Sequence, residues 1–326
     1  MTDVPVRLHI RLVALLLALT GCLPAVAAGP TLPDETIHIV NTFPPSGPSD
    51  IISRLIAQKM QVSLKRTFVV ENKPGAGGNV AAEQVAKAPA DGSVILTGID
   101  TTFTVNPSIY RSMPFKTSDF KPLMIMASSG LMVATNPSLG VKTLAELVAK
   151  GKKQTLTFSS GSNGSPGHLA AAILGEAAGI KVLHVPYKGN SPAVLALLSG
   201  EVQAGILATP GLLPHVEAGK LTALAVTSRH RSALAPNVPT VAEAGMKELQ
   251  VEVLYVAMVP AATPQPVVDV LDKAIADALA QPDVKAALAK LDLFVEAQTG
   301  QVAEERIAAQ RARYERIIKA TGMKID

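Results

Sequence analysis

Two short stretches carry the residue types best suited to chemistry. FPPSGPSD, residues 43–50, and SSGSNGSPGHL, residues 159–169, each follow an apolar run and lead into a segment with helical spacing. Such a junction exposes unpaired backbone N–H groups at the positive end of a helix, which suits a carboxylate or phosphate. In the first stretch Pro44 and Pro45 fix φ and keep the loop from becoming helix, Gly47 permits close approach, and Ser49 or Asp50 can cap the helix. The plainer alternative is a rigid turn with a cap. In the second, Ser159, Ser160, Gly161, Asn163, Gly164 and Ser165 can offer several donors to one anion; a mobile surface loop of small residues is the plainer alternative here. A third stretch, ENKPGAGGNVAAE at 71–83, has neither the Gly-Lys-Ser/Thr end of a P-loop nor a dinucleotide fingerprint and reads as a tight turn.

Other chemistries find less support. Ser160 with His168 supplies a nucleophile and a base, but no Gly-x-Ser-x-Gly elbow accompanies them, and spacing alone assigns no triad. The six histidines include no pair at i, i+4 and no HExxH, so no metal site is expected, and no cofactor motif is present. His38 and His184 fall inside strand-like runs and read as wall or core residues. Asp100, in TGIDTTFTVNP, has two readings: a carboxylate facing a cleft, where it favours a ligand bearing an amine or hydroxyl as well as an acid, or a helix cap.

These stretches need elements to position them. Short β-branched or aliphatic runs at 36–40, 67–70, 94–98, 123–127, 155–159, 181–185, 204–207, 221–227 and 251–259 alternate with helical windows such as 49–64, 79–87, 166–178, 191–199, 265–280 and 302–320. That alternation predicts an α/β protein on mostly parallel sheets, with ligands beyond the carboxyl ends of the strands. The chain exceeds one ordinary core, yet no flexible linker interrupts it. This predicts two lobes joined by crossing strands: 29–126 with 256–326, and 127–255.

With 326 residues, 48% hydrophobic and 17% charged, the chain can bury full cores. The net charge of +4, aromatic content of 3% and absence of Trp argue against nucleic-acid binding. Residues 1–28 read as an export signal: Arg7 and Arg11 precede LVALLLALTG, and AVAAG comes after it. Cys22, the single cysteine, stands in LTGC, similar to a lipoprotein lipobox, while AVAA offers ordinary cleavage after Ala27 or Ala28. Both routes lead outside the cytoplasm, free or lipid-anchored, and a lone cysteine forms no internal disulfide.

FPPSGPSD, VVENKPGAGGNVAAEQVAKAPADG, VNPSIY, SSGSNGSPGHLA, HVPYKG, LPHVEAGKLTALAVTS and VPTVAEAG, in this order, resemble the extracytoplasmic solute-binding receptors of the tripartite tricarboxylate transporter system, the Bug proteins. The resemblance implies a periplasmic binding protein of the two-lobe, Venus-flytrap type with a ligand cleft between the lobes, monomeric, with a small carboxylate as ligand and membrane permease subunits as partners. An exported sensor of the same fold feeding a signalling partner is the alternative, and a hydrolase a distant third. By position it implicates Thr42, Phe43, Pro45, Ser46, Gly47, Asp50, Asp100 and Thr101 on one side. On the other it implicates Ser159, Ser160, Gly161, Asn163, Gly164, Ser165 and His168, with Tyr187 either near the rim or in the core. Three positions depart from the family: Ser46 stands where a glycine is usual, Leu207 where an acid is typical, and VEVLYV replaces an aromatic pair.

Overall fold

The computed structural model describes residues 32–324, so the export signal, Cys22 and the cleavage sites at Ala27 and Ala28 lie outside the described residues. Among the described residues the chain forms eleven strands, nine of them at the expected runs and two, β5 and β11, outside them: β1 Ile37–Asn41, β2 Phe68–Asn72, β3 Val94–Ile99, β4 Phe120–Ser129, β5 Met132–Thr135, β6 Leu156–Ser160, β7 Val182–Pro186, β8 Ala204–Leu207, β9 Thr222–Val226, β10 Val253–Pro260 and β11 Phe294–Thr299. They build two sheets, in the orders β11-β4-β10-β3-β1-β2 and β7-β6-β8-β5-β9. The chain passes between sheets twice, from β4 to β5 and from β9 to β10. Residues 127–129 and 253–255, expected from the sequence in the second lobe, pair in the first sheet.

Strand direction decides where the loops point. β1 runs parallel to β3, β3 antiparallel to β10, and β10 antiparallel to β4, so the carboxyl ends of β1, β2 and β3 share an edge with the carboxyl end of β4. That end is where the chain departs for the second sheet. There, Met132 at the start of β5 pairs with Leu207 at the end of β8, and β8 is parallel to β6 and β6 to β7. The loops after β1 and β3 and those after β6, β7 and β8 therefore lie on the crossing side of their sheets, the position at which open α/β sheets bind ligands.

Both crossings are tied together. Leu131 N–H donates to the Thr227 hydroxyl (2.8 Å), Thr227 N–H to the Leu131 carbonyl (2.8 Å), and the Thr227 hydroxyl to the Val251 carbonyl (2.6 Å). Gly130 is required here: a Cβ at that position would stand 2.7 Å from both the backbone nitrogen and the Cβ of Ser228.

Helices cover both sheets. The largest apolar cluster runs through both lobes, from Ile37, Ile39 and Ile56 through Leu123, Leu131 and Val133 to Phe158, Leu169 and Leu174. The helix Gly300–Thr321 joins it: it packs on β4 and also meets the helix Pro166–Ala178 of the second lobe, burying Tyr314 and Ile318. A second cluster lies on the other face of the first sheet around three edge-on rings, Phe103, Phe115 and Phe120. A third covers the other face of the second sheet and includes Met132, Leu197, Leu207 and Val226.

Candidate functional site

The first loop leaves β1 at Asn41 and enters the helix Pro48–Leu64. Asn41 is buried at the strand end, where its Oδ1 accepts Phe43 N–H (2.9 Å) and the Ser49 hydroxyl (3.1 Å), folding the chain back on itself. Phe43 is half-buried, and its carbonyl accepts from Asn72 Nδ2 (3.0 Å) at the end of β2. Ser46 sits at φ 69°, the left-handed region in which glycine is at ease and serine is strained. Pro45 and Ser46 are exposed. The N–H groups of Gly47, Ser49 and Asp50 have no acceptor among the described residues, which leaves the helix start free to receive an anion.

Two of the residues expected at the ligand are engaged within the protein. The Asp50 carboxylate is spent within the protein: it accepts Ser46 N–H (2.9 Å), Arg54 Nε (3.1 Å) and Asn72 Nδ2 (2.9 Å), and pairs with Arg54 Nη2 at 3.0 Å. Burial pushes its pKa up, but these bonds outweigh burial and hold it below the ordinary range. Asp50 therefore braces the loop. Thr42 is buried, bonds Thr97 through its N–H (2.9 Å), and wedges its side chain against the backbone of Gly78 and Gly98.

The second loop leaves β6 at Ser160 and enters the helix Pro166–Ala178, which Ser165 caps. Gly161, Ser162, Asn163 and Gly167 keep N–H groups with no acceptor among the described residues. Asn163 is exposed, while Gly164 is buried at φ 70°. The serine side chains turn the other way. Ser159 is fully buried, facing Gly205 of β8, with its hydroxyl unpartnered. Ser160, also fully buried, bonds the Ser162 carbonyl (3.0 Å), and Ser165 Oγ lies 3.1 Å from Ser160 Oγ. The imidazole beside Ser160 belongs to His184 (Oγ–Nε2 2.6 Å), not to His168, which instead accepts Gly164 N–H at Nδ1 (3.1 Å). The two rings stack at 3.6 Å. Burial lowers the pKa of both to about 4, with the neighbouring His168 adding to the shift of His184. Ser160 is therefore held in a buried network and is not paired with His168.

Three more of these residues are held within the protein. Asp100 faces no cleft: its side chain is 1% exposed and accepts Leu254 N–H (2.9 Å), the Thr104 hydroxyl (2.8 Å) and Gln310 Nε2 (2.6 Å). Burial pushes its carboxyl up to about 6, against those three bonds. Tyr187 directs its hydroxyl to Glu201 (2.7 Å) and packs on the third apolar cluster; burial, then that bond and the Glu201 charge, raise it to about 12. Leu207 is 2% exposed in the same cluster. Thr101 is buried in the helical turn Thr101–Thr104 at the carboxyl end of β3, beside the first loop.

Positioning falls to His184, which the sequence placed in a wall or core, and to residues that the motif reading did not single out: Asn41 and Asn72, which close β1 and β2, and Asn190, whose Oδ1 accepts Ala208 N–H (3.1 Å). The available signal was an asparagine ending an apolar run, as in HIVN and VVEN, where a side-chain amide can satisfy loop backbone. Among the described residues no group of three or more His, Cys, Asp or Glu is arranged to hold a metal.

Known proteins share this arrangement. A "periplasmic transporter" structure, 31% identical, superimposes with a TM-score of 0.79 over 91% of this chain and 100% of that one. The R. palustris protein Rpa4515, solved with adipate, is 29% identical with a TM-score of 0.79, covering 90% of this chain and 99% of its own. MatC from Rhodopseudomonas palustris, with bound malate, is 27% identical with a TM-score of 0.75, over 88% of this chain and 100% of that one. Protein BugT of Bordetella pertussis is 32% identical over 97% of this chain and 98% of its own length. Residues 52–323 match the family described as "Tripartite tricarboxylate transporter family receptor", and this chain, with its two-lobe α/β fold, belongs to that family.

Proposed function

We propose that this chain is an exported receptor that captures a small carboxylated metabolite between its lobes and presents it to the membrane subunits of a tripartite transporter. The supporting observation is that two loops rich in free N–H groups, after β1 and after β6, both lie on the crossing side of their sheets. One ligand carboxylate can take donors from Gly47 and Ser49 in one lobe and from Gly161, Ser162 and Asn163 in the other. Capture then draws the lobes together. The adipate and malate held by relatives support a dicarboxylate. The buried Leu207 supplies no charge for the ligand's far end, so that end is recognised without an acid at this position. We place the protein outside the cytoplasm, free or tethered through Cys22, alternatives separated by the mass of its processed N-terminus.

The test is a thermal-shift and calorimetry panel of mono-, di- and tricarboxylates, including malate, adipate and amino acids. A ligand at about 100 times its Kd should raise the midpoint by roughly 5 °C or more. Silence across the carboxylates with a response to cations or neutral sugars would overturn the reading, and turnover of a bound compound would make the protein an enzyme.

A further inference from the structure

We infer that His168 and His184 are positioning residues: they fix the 160–165 loop for carboxylate capture by acting through Gly164 and Ser160, without touching the ligand. The inference rests on the receptor function proposed for this chain.

The geometry carries it. The rings stack face to face at 3.6 Å with planes 7° apart, and each holds one end of the loop. His184 Nε2 lies 2.6 Å from Ser160 Oγ at the strand end, and His168 Nδ1 accepts Gly164 N–H at 3.1 Å just before the helix. Ser160 and Ser165 extend the network to the Ser162 carbonyl at 3.0 and 2.8 Å. With these side chains and the Gly164 N–H committed inward, the N–H groups of Gly161, Ser162 and Asn163 are the donors left for an anion. The loop is thereby ordered before the ligand arrives, which removes a cost from binding.

The network also dictates a protonation state. An Nδ1 that accepts an N–H cannot carry a proton, so His168 is the neutral Nε2–H tautomer. Two charged rings 3.6 Å apart would repel, and burial lowers both pKa values to about 4. The pair borders a cavity of about 430 Å³ between the helix Pro166–Ala178 and the end of the C-terminal helix, where Glu176 is the other titratable side chain among the lining residues. In the folded protein the rings gain protons only as the pH falls through about 4, where two stacked charges would repel.

Atom-matched substitutions test this. An asparagine oxygen reproduces the Nδ1 position of histidine, and a glutamine amide reproduces Nε2. His168→Asn and His184→Gln should keep affinity for malate or adipate within about 3-fold of the unmodified protein. His168→Gln and His184→Asn, which break the links to Gly164 and Ser160, should weaken it about 10-fold or more. If His168 instead touched the ligand through Nε2, the order would reverse, with His168→Gln binding and His168→Asn failing; that reversal, or equal losses in all four, overturns the inference. A second readout needs no ligand. Hydrogen exchange at the Gly164 amide should accelerate about 10-fold in His168→Gln but not in His168→Asn, and nitrogen NMR should find His168 Nδ1 unprotonated at pH 7. If no carboxylate of the panel binds the unmodified protein while exchange shows this pattern, the receptor reading fails and the positioning of the loop stands. If exchange at Gly164 is the same in all variants, the positioning fails by itself.

Discussion

Asp100 is a carboxyl group kept for architecture. Its oxygens join β3, through its own position, to β10 through Leu254 N–H and to the C-terminal helix through Gln310. Burial raises its folded-state pKa from 3.8 to about 6, above the unfolded value, so the stability it contributes is fully present below pH 3.8 and lost as pH rises through 6. The difference is on the order of 3 kcal/mol. Asp100→Asn cannot ionise, so between pH 4 and pH 7 the stability of the unmodified protein should fall relative to the variant by up to that amount, as read by denaturant titration. A pH-independent gap would mean that Asp100 does not titrate in this range. His168 and His184 carry the opposite sign: their lowered values make stability full above pH 6.5 and lost as pH falls towards 4. Ser46 shows a different residue-scale choice, a serine held at φ 69° by Asp50 in a loop where the family resemblance implies glycine.

At the scale of elements, the strands written in β-branched and aliphatic runs were legible, while β5, only four residues long, and β11 were not. FVEAQT mixes polar and apolar residues, every one of them half-exposed, because β11 is an edge strand whose ladder is interrupted between Val295 and Gln298. The helix Thr209–Glu217 escaped the periodicity because prolines stand at its start and inside it. The proposed closure runs through the two crossings, and Gly130 sets how near they pass. Gly130→Ala drives a methyl to 2.7 Å from the Ser228 backbone nitrogen, so one crossing must shift. We expect a loss of about 1–3 kcal/mol in stability and, because both crossings move together, altered ligand affinity in calorimetry. An unchanged midpoint and Kd would show that the crossings slide past one another freely.

Across the whole molecule, the lobes are joined by more than their crossings. Asp292, which precedes β11 in the first lobe, is 5% exposed and accepts a 2.5 Å bond from Ser232, in the segment leaving the second sheet. Burial pushes its carboxyl up, while the Ser232 hydroxyl bond holds it down. Asp292→Ala removes the acceptor of the Ser232 hydroxyl, itself 1% exposed, and leaves it only the Leu234 N–H at 3.1 Å. It should cost about 1–3 kcal/mol and widen the ligand-free molecule in small-angle scattering; an unchanged profile would place the restraint elsewhere. The helix Gly300–Thr321 is a further tie, holding Asp100 and the Glu252 carbonyl through Gln310 and the Gln250 carbonyl through Arg313.

The sequence by itself determined the α/β class, most strands, the two passages between sheets and the two donor-rich loops, because apolar periodicity, prolines and glycines act locally and leave their mark on neighbouring residues. Which partner each polar side chain bonds was decided only by tertiary structure. Asp50, Asp100, Tyr187 and His168 all had the chemistry of ligand contacts, yet their bonds reach Asn72, Gln310, Glu201 and Gly164. Three of those four partners lie on other elements, and in Asp100 and Gln310 they are 210 residues apart. A buried polar group takes whatever partner the packed chain brings within 3 Å, and no local pattern encodes that meeting.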